Sequence, residues 1–203
     1  MRYVIAVCGR KGGIGKSSVA LNLAHAIALR GHPVVAFDLD PQPNMAATVG
    51  DRTDLVPVRA IGPGVRLERE MPKDGVVILD TPPGVTDQLV TAIAAADLVL
   101  LPMPGSVRAL VNAADLVDQL QATASPPRFM FLLNAVDDGA ACRGVEEELR
   151  RVFPRNICKV SLPRSAWFER ATATGRTVLE AAPKSRAADA VRRLAKEVLT
   201  YGK

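Results

Sequence analysis

Arg10-Lys11-Gly12-Gly13-Ile14-Gly15-Lys16-Ser17-Ser18 gathers glycines, lysines and hydroxyls into one short run. Glycines at 12, 13 and 15 let the backbone turn with its N–H groups facing inward, which makes a nest for an anion. A helix opening near Lys16 would add its positive N-terminal dipole. Lys16 is the residue to hold the β- and γ-phosphates of a nucleotide, and the Ser17 hydroxyl the one to ligate Mg²⁺. The pattern G-x-x-x-x-G-K-[ST] is met at Gly15-Lys16-Ser17 but not at its start, where Arg10 replaces glycine and the nearest glycine is Gly9. One lysine is enough for the phosphates. Lys11 is therefore either a solvated surface residue or has a second task.

Three carboxylates stand where such a loop needs them. Asp38 and Asp40, in Asp38-Leu39-Asp40-Pro41-Gln42, leave an apolar run on alternating residues and so share one side. Ligands of open α/β sheets bind at the carboxyl edge of the strands, which would turn both acids towards the phosphates; a helix cap plus a turn acid before Pro41 is the other reading. Asp80 ends the run Val76-Val77-Ile78-Leu79 and precedes Thr81-Pro82-Pro83-Gly84. This reads as a Walker B acid that binds Mg²⁺ through water, followed by a switch II loop in which the Gly84 N–H meets a γ-phosphate. Asn134 closes a later strand; its amide suits the N6/N7 edge of adenine and suits a turn about equally.

The elements that must position these residues alternate as an α/β fold requires. Apolar, β-branched runs at 2–8, 33–37, 76–80, 97–102 and 128–134 read as central parallel strands. Val19, Ala20, Leu23, Ala24, Ile27 and Ala28 recur at helical spacing from Ser18 to Arg30, with Gly31 placed to end the helix. Gly50 to Gly75 is irregular and is expected to be an insertion with one strand and one helix. A closing helix spans about Ser185 to Thr200. The expected fold is a doubly wound, mostly parallel sheet flanked by helices, as one domain over residues 1–203.

Lys11-Gly12-Gly13-Ile14-Gly15-Lys16-Ser17 resembles the deviant Walker A motif of the ParA/MinD family of ATPases, and Asp38 to Gln42 matches its A′ motif, D-x-D-P-Q. Asp80-Thr81-Pro82-Pro83-Gly84 is a family spelling of Walker B. Leu162-Pro163-Arg164-Ser165 and Gly175-Arg176-Thr177-Val178-Leu179-Glu180 resemble later ParA stretches, so that the matches run from residue 4 to about 199. The resemblance implies ATP and Mg²⁺ as cofactors and an ATP-sandwich homodimer in which Lys11 reaches the partner's nucleotide. It assigns catalysis to Lys11, Lys16 and Asp40, the last orienting or activating the attacking water. Nucleotide binding falls to Lys11, Gly12, Gly13, Ile14, Gly15, Lys16, Ser17, Ser18, Asn134 and Pro163, and the metal to Ser17, Asp38 and Asp80. Where the family continues Gly-Asn, this chain has Pro43-Asn44, a departure expected to stiffen switch I.

Composition points to the partners. The chain has 203 residues, 48% hydrophobic, with a net charge of +5, which favours a polyanion. Basic residues gather late, and on the closing helix Arg192, Arg193 and Lys196 lie off the apolar stripe formed by Ala187, Val191, Leu194, Ala195 and Val198. With Arg164 they are the candidate DNA contacts, to phosphates rather than bases; a merely solvated face is the alternative. The early start leaves no room for an N-terminal helix-turn-helix, so specific repression is not expected. No signal peptide and no integral membrane segment is read. Cys8, Cys142 and Cys158 are odd in number and lack metal-ligand spacing, which points to a reducing cytosol; the resemblance to ParA implies a nucleoid-associated ATPase with a ParB-like or cargo-adaptor activator. A MinD-like ATPase acting at a membrane surface is the alternative, though the tail Leu199 to Lys203 lacks the large apolar residues this requires. Trp167 and Phe168 read as core or a dimer-edge contact.

Overall fold

The computed structural model describes residues 1–106, 109, 116–118, 120–123, 125–137 and 139–202. Lys203, the last residue of the tail discussed above, lies outside them. Six parallel strands form one sheet in the order β3-β2-β4-β1-β5-β6. They are β1 (Arg2–Val7), β2 (Val34–Asp38), β3 (Val58–Ala60), β4 (Gly75–Asp80), β5 (Leu98–Met103) and β6 (Arg128–Leu133). Among them run α1 (Lys16–Ala28), α2 (Asn44–Val49), α3 (Leu67–Glu70), α4 (Asp87–Ala95), α5 (Ala140–Val152), α6 (Ala166–Ala173), α7 (Val178–Ala181) and α8 (Arg186–Val198).

The central strands are apolar on both faces because both faces are covered. Ile5 and Val7 face one cluster, with α1, α7 and α8; Val4, Ala6 and Cys8 face the other, with α4 and α5. The chain leaves β1 towards β2 on one side and, after β4, crosses over β1 to β5 on the other. The carboxyl end of β1 is thus where the winding reverses, the place where such sheets bind ligands.

The expected strands and the first and last helices are all present, and the insertion holds one strand, β3, and one short helix, α3. The helices α2, α4, α6 and α7 have no counterpart in the sequence reading. Pro43 opens α2, its fixed φ suited to a helix start, which gives the Pro43-Asn44 departure a structural role. α8 is fixed at both ends. Ser185 accepts from Ala188 N at 3.1 Å, and the Glu197 carboxylate accepts from the backbone of Lys159 and Val160 at 2.7 and 3.0 Å. Its apolar stripe, with Val191, Leu194 and Val198, is buried against the α1 layer.

Candidate functional site

The loop between β1 and α1 turns through Gly13 (φ +74°) and Gly15 (φ +87°), a backbone only glycine adopts without strain. Gly15 is doubly constrained, since a Cβ there would stand 2.6 Å from Asn134 Nδ2. Asn134 donates from Nδ2 to the Ile14 carbonyl at 2.8 Å. Its amide therefore holds the loop, a contact between residues 120 apart in sequence that no local pattern encodes. Lys16 is 7% exposed and its Nζ donates to the Lys11 carbonyl at 3.1 Å. Burial lowers its pKa, and the acids Asp80 and Asp40 oppose that shift. Lys11 itself is exposed at the front of the loop.

The strand register sets the acids. Asp38 and Asp80 are paired positions on β2 and β4, and Asp80 pairs with Val7 at the end of β1, so both carboxylates sit beside the root of the loop. Both are fully buried. They differ in their partners. Asp38 Oδ2 accepts from Met45 N and Ala46 N at 2.9 and 3.0 Å, and Oδ1 accepts from Asp40 N at 3.1 Å. Asp38 thus caps α2 from a distance and fixes the turn that carries Asp40, so the helix-cap geometry weighed for it is present. Burial raises its pKa against these three bonds. Asp40 is half-buried; its Oδ1 accepts from Gln42 N at 2.9 Å and its Oδ2 makes no hydrogen bond among the described residues.

Neither oxygen of Asp80 has a hydrogen-bond partner among the described residues. Burial pushes its pKa up to about 7; the Ser17 hydroxyl and the Lys16 ammonium nearby work against the rise, and Asp38 and Asp40 add to it. A buried carboxylate without donors is a costly arrangement that a cation would relieve. The donor set, Asp80 with the hydroxyl of Ser17, is hard oxygen and fits Mg²⁺. No cluster of three or more His, Cys, Asp or Glu forms a cage among the described residues, which suits a metal held largely by phosphates and water. Gly84 N donates to the Arg10 carbonyl at 2.9 Å, tying the loop after β4 to the glycine-rich loop.

On the other flank of the loop a cleft of about 800 Å³ is lined by Gly13, Gly15, Ser18, Asn134, Pro163 and Phe168. Pro163 is brought beside Asn134 because 162–164 runs along 133–136, with Leu162 N on Leu133 O and Arg164 N on Val136 O at 2.9 and 2.7 Å. The outer wall is α6, through Phe168, Glu169 and Thr172. The sequence reading did not assign this wall, yet the Ser165 cap and the spacing 165, 168, 169, 172 mark one helix face. Trp167 points elsewhere: it is 40% exposed, with the Arg170 guanidinium 5.3 Å from its ring. Of the basic candidates, Arg192 donates to the Pro183 carbonyl at 2.8 Å and Arg193 pairs with Asp189 at 3.0 Å, both at the surface. Arg193 and Pro163 wall the same small cleft, which makes the Arg164 loop contiguous with the outer face of α8. The three cysteines are buried and form no disulfide among the described residues; burial pushes the Cys8 thiol up to about 12, so it stays protonated.

Comparison with known proteins agrees with this geometry. Residues 5–178 match the family model CbiA, the CobQ/CobB/MinD/ParA nucleotide binding domain. The chromosome-partitioning ATPase Soj of Thermus thermophilus is 30% identical over 96% of this chain and 94% of its own length. Among solved structures, the cell division ATPase MinD of Pyrococcus furiosus superposes with a TM-score of 0.80 at 18% identity, covering 98% of this chain and 99% of that one. The septum site-determining protein MinD of Pyrococcus horikoshii, complexed with Mg-ADP, gives 0.76 at 18% identity, with 98% and 96% covered. The chain belongs to the CobQ/CobB/MinD/ParA nucleotide-binding family.

Proposed function

We propose that this chain is a Mg²⁺-dependent ATPase of the ParA/Soj kind. On this reading its ATP-bound form is a homodimer that binds DNA without sequence preference, and its hydrolysis, accelerated by a ParB-like or cargo-adaptor protein, partitions or positions a cargo. The observation that carries it is Asp80: a fully buried carboxylate with no hydrogen-bond partner on either oxygen among the described residues, beside Lys16 and Ser17 at the reversal of the sheet. The 30% identity to a chromosome-partitioning ATPase supports the ParA/Soj assignment, and a nucleoid-associated cytoplasmic location follows from it.

Lys16 and the N–H groups of residues 12–17 bind the phosphates, and the cleft beside Asn134 and Pro163 takes the nucleoside. Ser17 and Asp80 hold the metal, which when bound neutralises charge on the phosphates. Asp38 fixes the turn that aims Asp40, and the Oδ2 of Asp40 orients the attacking water. Lys11, exposed at the front edge, reaches the nucleotide of a second copy.

The outer face of α8, with Arg192, Arg193 and Lys196, and Arg164 beside it, supplies phosphate contacts. The membrane-surface alternative needs an apolar helix face to insert, and the apolar stripe of α8 is buried against α1. Among the described residues no helix is long and apolar enough to cross a membrane.

Steady-state ATP turnover with and without Mg²⁺ tests the reading. Turnover that requires the metal and falls about 10²–10⁴-fold in Asp40→Ala, with nucleotide still bound, is expected. A wild type that neither binds nor hydrolyses ATP would contradict it.

A further inference from the structure

Arg52, in the loop after α2, makes more charged contacts than any role assigned so far requires. Its Nη1 donates to the Gly175 carbonyl at 2.6 Å, its Nη2 reaches Glu180 Oε1 at 2.6 Å, and Nε and Nη2 grip both oxygens of Asp54 at 2.9 Å. Gly175 lies just past α6, the wall of the nucleoside cleft. It also approaches α2 directly: with φ +66° it brings the spot where a Cβ would sit to 3.0 Å from the Thr48 carbonyl. α2 in turn starts on the Asp38 carboxylate. The far wall of the cleft is therefore anchored on the element that Asp38 organises beside Asp80, on the opposite flank of the phosphate loop.

The Arg52 contact is separable from the rest of the fold. α7 is pinned to α1 without it, by Asn22 Oδ1 accepting from Val178 N at 2.8 Å and by His25 Nδ1 lying 2.6 Å from Thr177 Oγ1. Glu180 Oε2 also accepts from Thr177 N at 2.8 Å, closing a capping box. Removing the guanidinium takes away the side-chain tie between the loop after α2 and residues 174–176, which bond back to α6 through their own N–H groups, while α7 keeps its own anchors. A fork gripping a carbonyl and two carboxylates is a task for arginine, which lysine cannot reproduce.

We infer that Arg52 is a positioning residue for the nucleoside: its contacts with Gly175 and Glu180 hold the α6 wall against the base and ribose from the side of α2 and Asp38. The inference rests on the proposed nucleoside cleft. It also assigns Gly175 a function, the close approach of that wall to α2.

The test separates nucleoside from phosphate. Affinities of the wild type, Arg52→Ala, Arg52→Lys and Gly175→Ala are measured by calorimetry for ATP, ADP and inorganic tripolyphosphate, each with Mg²⁺. Arg52→Ala is expected to weaken ATP and ADP about tenfold and to leave tripolyphosphate unchanged, because the phosphate loop is intact. Arg52→Lys should fall with it. Gly175→Ala, which pushes the same wall from α2 without changing charge, should give the same split. Unchanged nucleotide affinity in Arg52→Ala, or an equal loss for tripolyphosphate, overturns the inference. A wild type that binds tripolyphosphate and ATP equally well overturns the cleft itself, an outcome read on the wild type alone.

Discussion

Asp80 is buried with neither oxygen hydrogen-bonded among the described residues. Its carboxyl is neutral in the fold up to about pH 7, against 3.8 in an open chain. A raised carboxylate pKa favours the folded state below the unfolded value, and that advantage is lost as pH rises through the folded one. The loss amounts to about 4 kcal/mol at most between pH 4 and pH 8 for a shift of this size. Asp80→Asn stays neutral throughout. In thermal melts without nucleotide, the variant should gain on the wild type as pH is raised from about 5 to about 8, whatever their offset at low pH. Adding Mg²⁺ and ATP should reverse the ranking at the higher pH, since the wild type, which keeps the metal-binding carboxylate, gains the more from the Mg²⁺-nucleotide. A gap that ignores pH would mean the carboxylate is solvated. Asp40 is the contrasting acid, half-buried with one oxygen uncommitted, and its loss should cost turnover rather than stability.

At the scale of elements, the strands and the first helix are legible in the sequence because their signals are local: apolar runs bounded by turn residues, and a helical stripe ending at Gly31. The positions of Asp38, Asp80 and Lys16 follow from those elements alone. Three contacts do not. Asp38 spends its carboxylate on α2, Asn134 spends its amide on Ile14, and Arg52 reaches Gly175 and Glu180 across more than 120 residues. Asn134 and Arg52 pair with groups 120 or more residues away, so residue type alone leaves several partners equally good, whereas Asp38 caps a helix seven residues on, where its local sequence left a cap and a site acid both open. α8 shows both cases: its apolar stripe reads from spacing, whereas the Arg193–Asp189 and Arg192–Pro183 contacts on its outer face depend on rotamers. Exposed pairs of this kind are worth at most about 1 kcal/mol, so they leave the arginines available to phosphates. Replacing Arg164, Arg192 and Arg193 by alanine should weaken binding equally on two unrelated duplexes. Each lost phosphate contact should reduce the slope of log affinity against log salt by about 0.9. An unchanged slope would take DNA binding away from α8.

For the whole molecule, the sheet reversal gathers every proposed nucleotide group at one edge, while Lys11 is exposed at the front of that edge and its side chain makes no hydrogen bond or ion pair among the described residues. On the proposed reading a second copy gives it a contact. A dimer also joins two basic faces that are individually weak, so DNA affinity should depend on ATP through effective concentration. On the proposed reading, activity, assembly and DNA binding hinge on the same lysine. The most direct measurement is molar mass by light scattering, with Mg²⁺ and ATP, for the wild type and Lys11→Ala, each first shown to bind nucleotide. The account predicts a dimer for the wild type and a monomer for the variant, at equal nucleotide occupancy. A variant that dimerises as the wild type does, or a wild type that stays monomeric at saturating ATP, would contradict it.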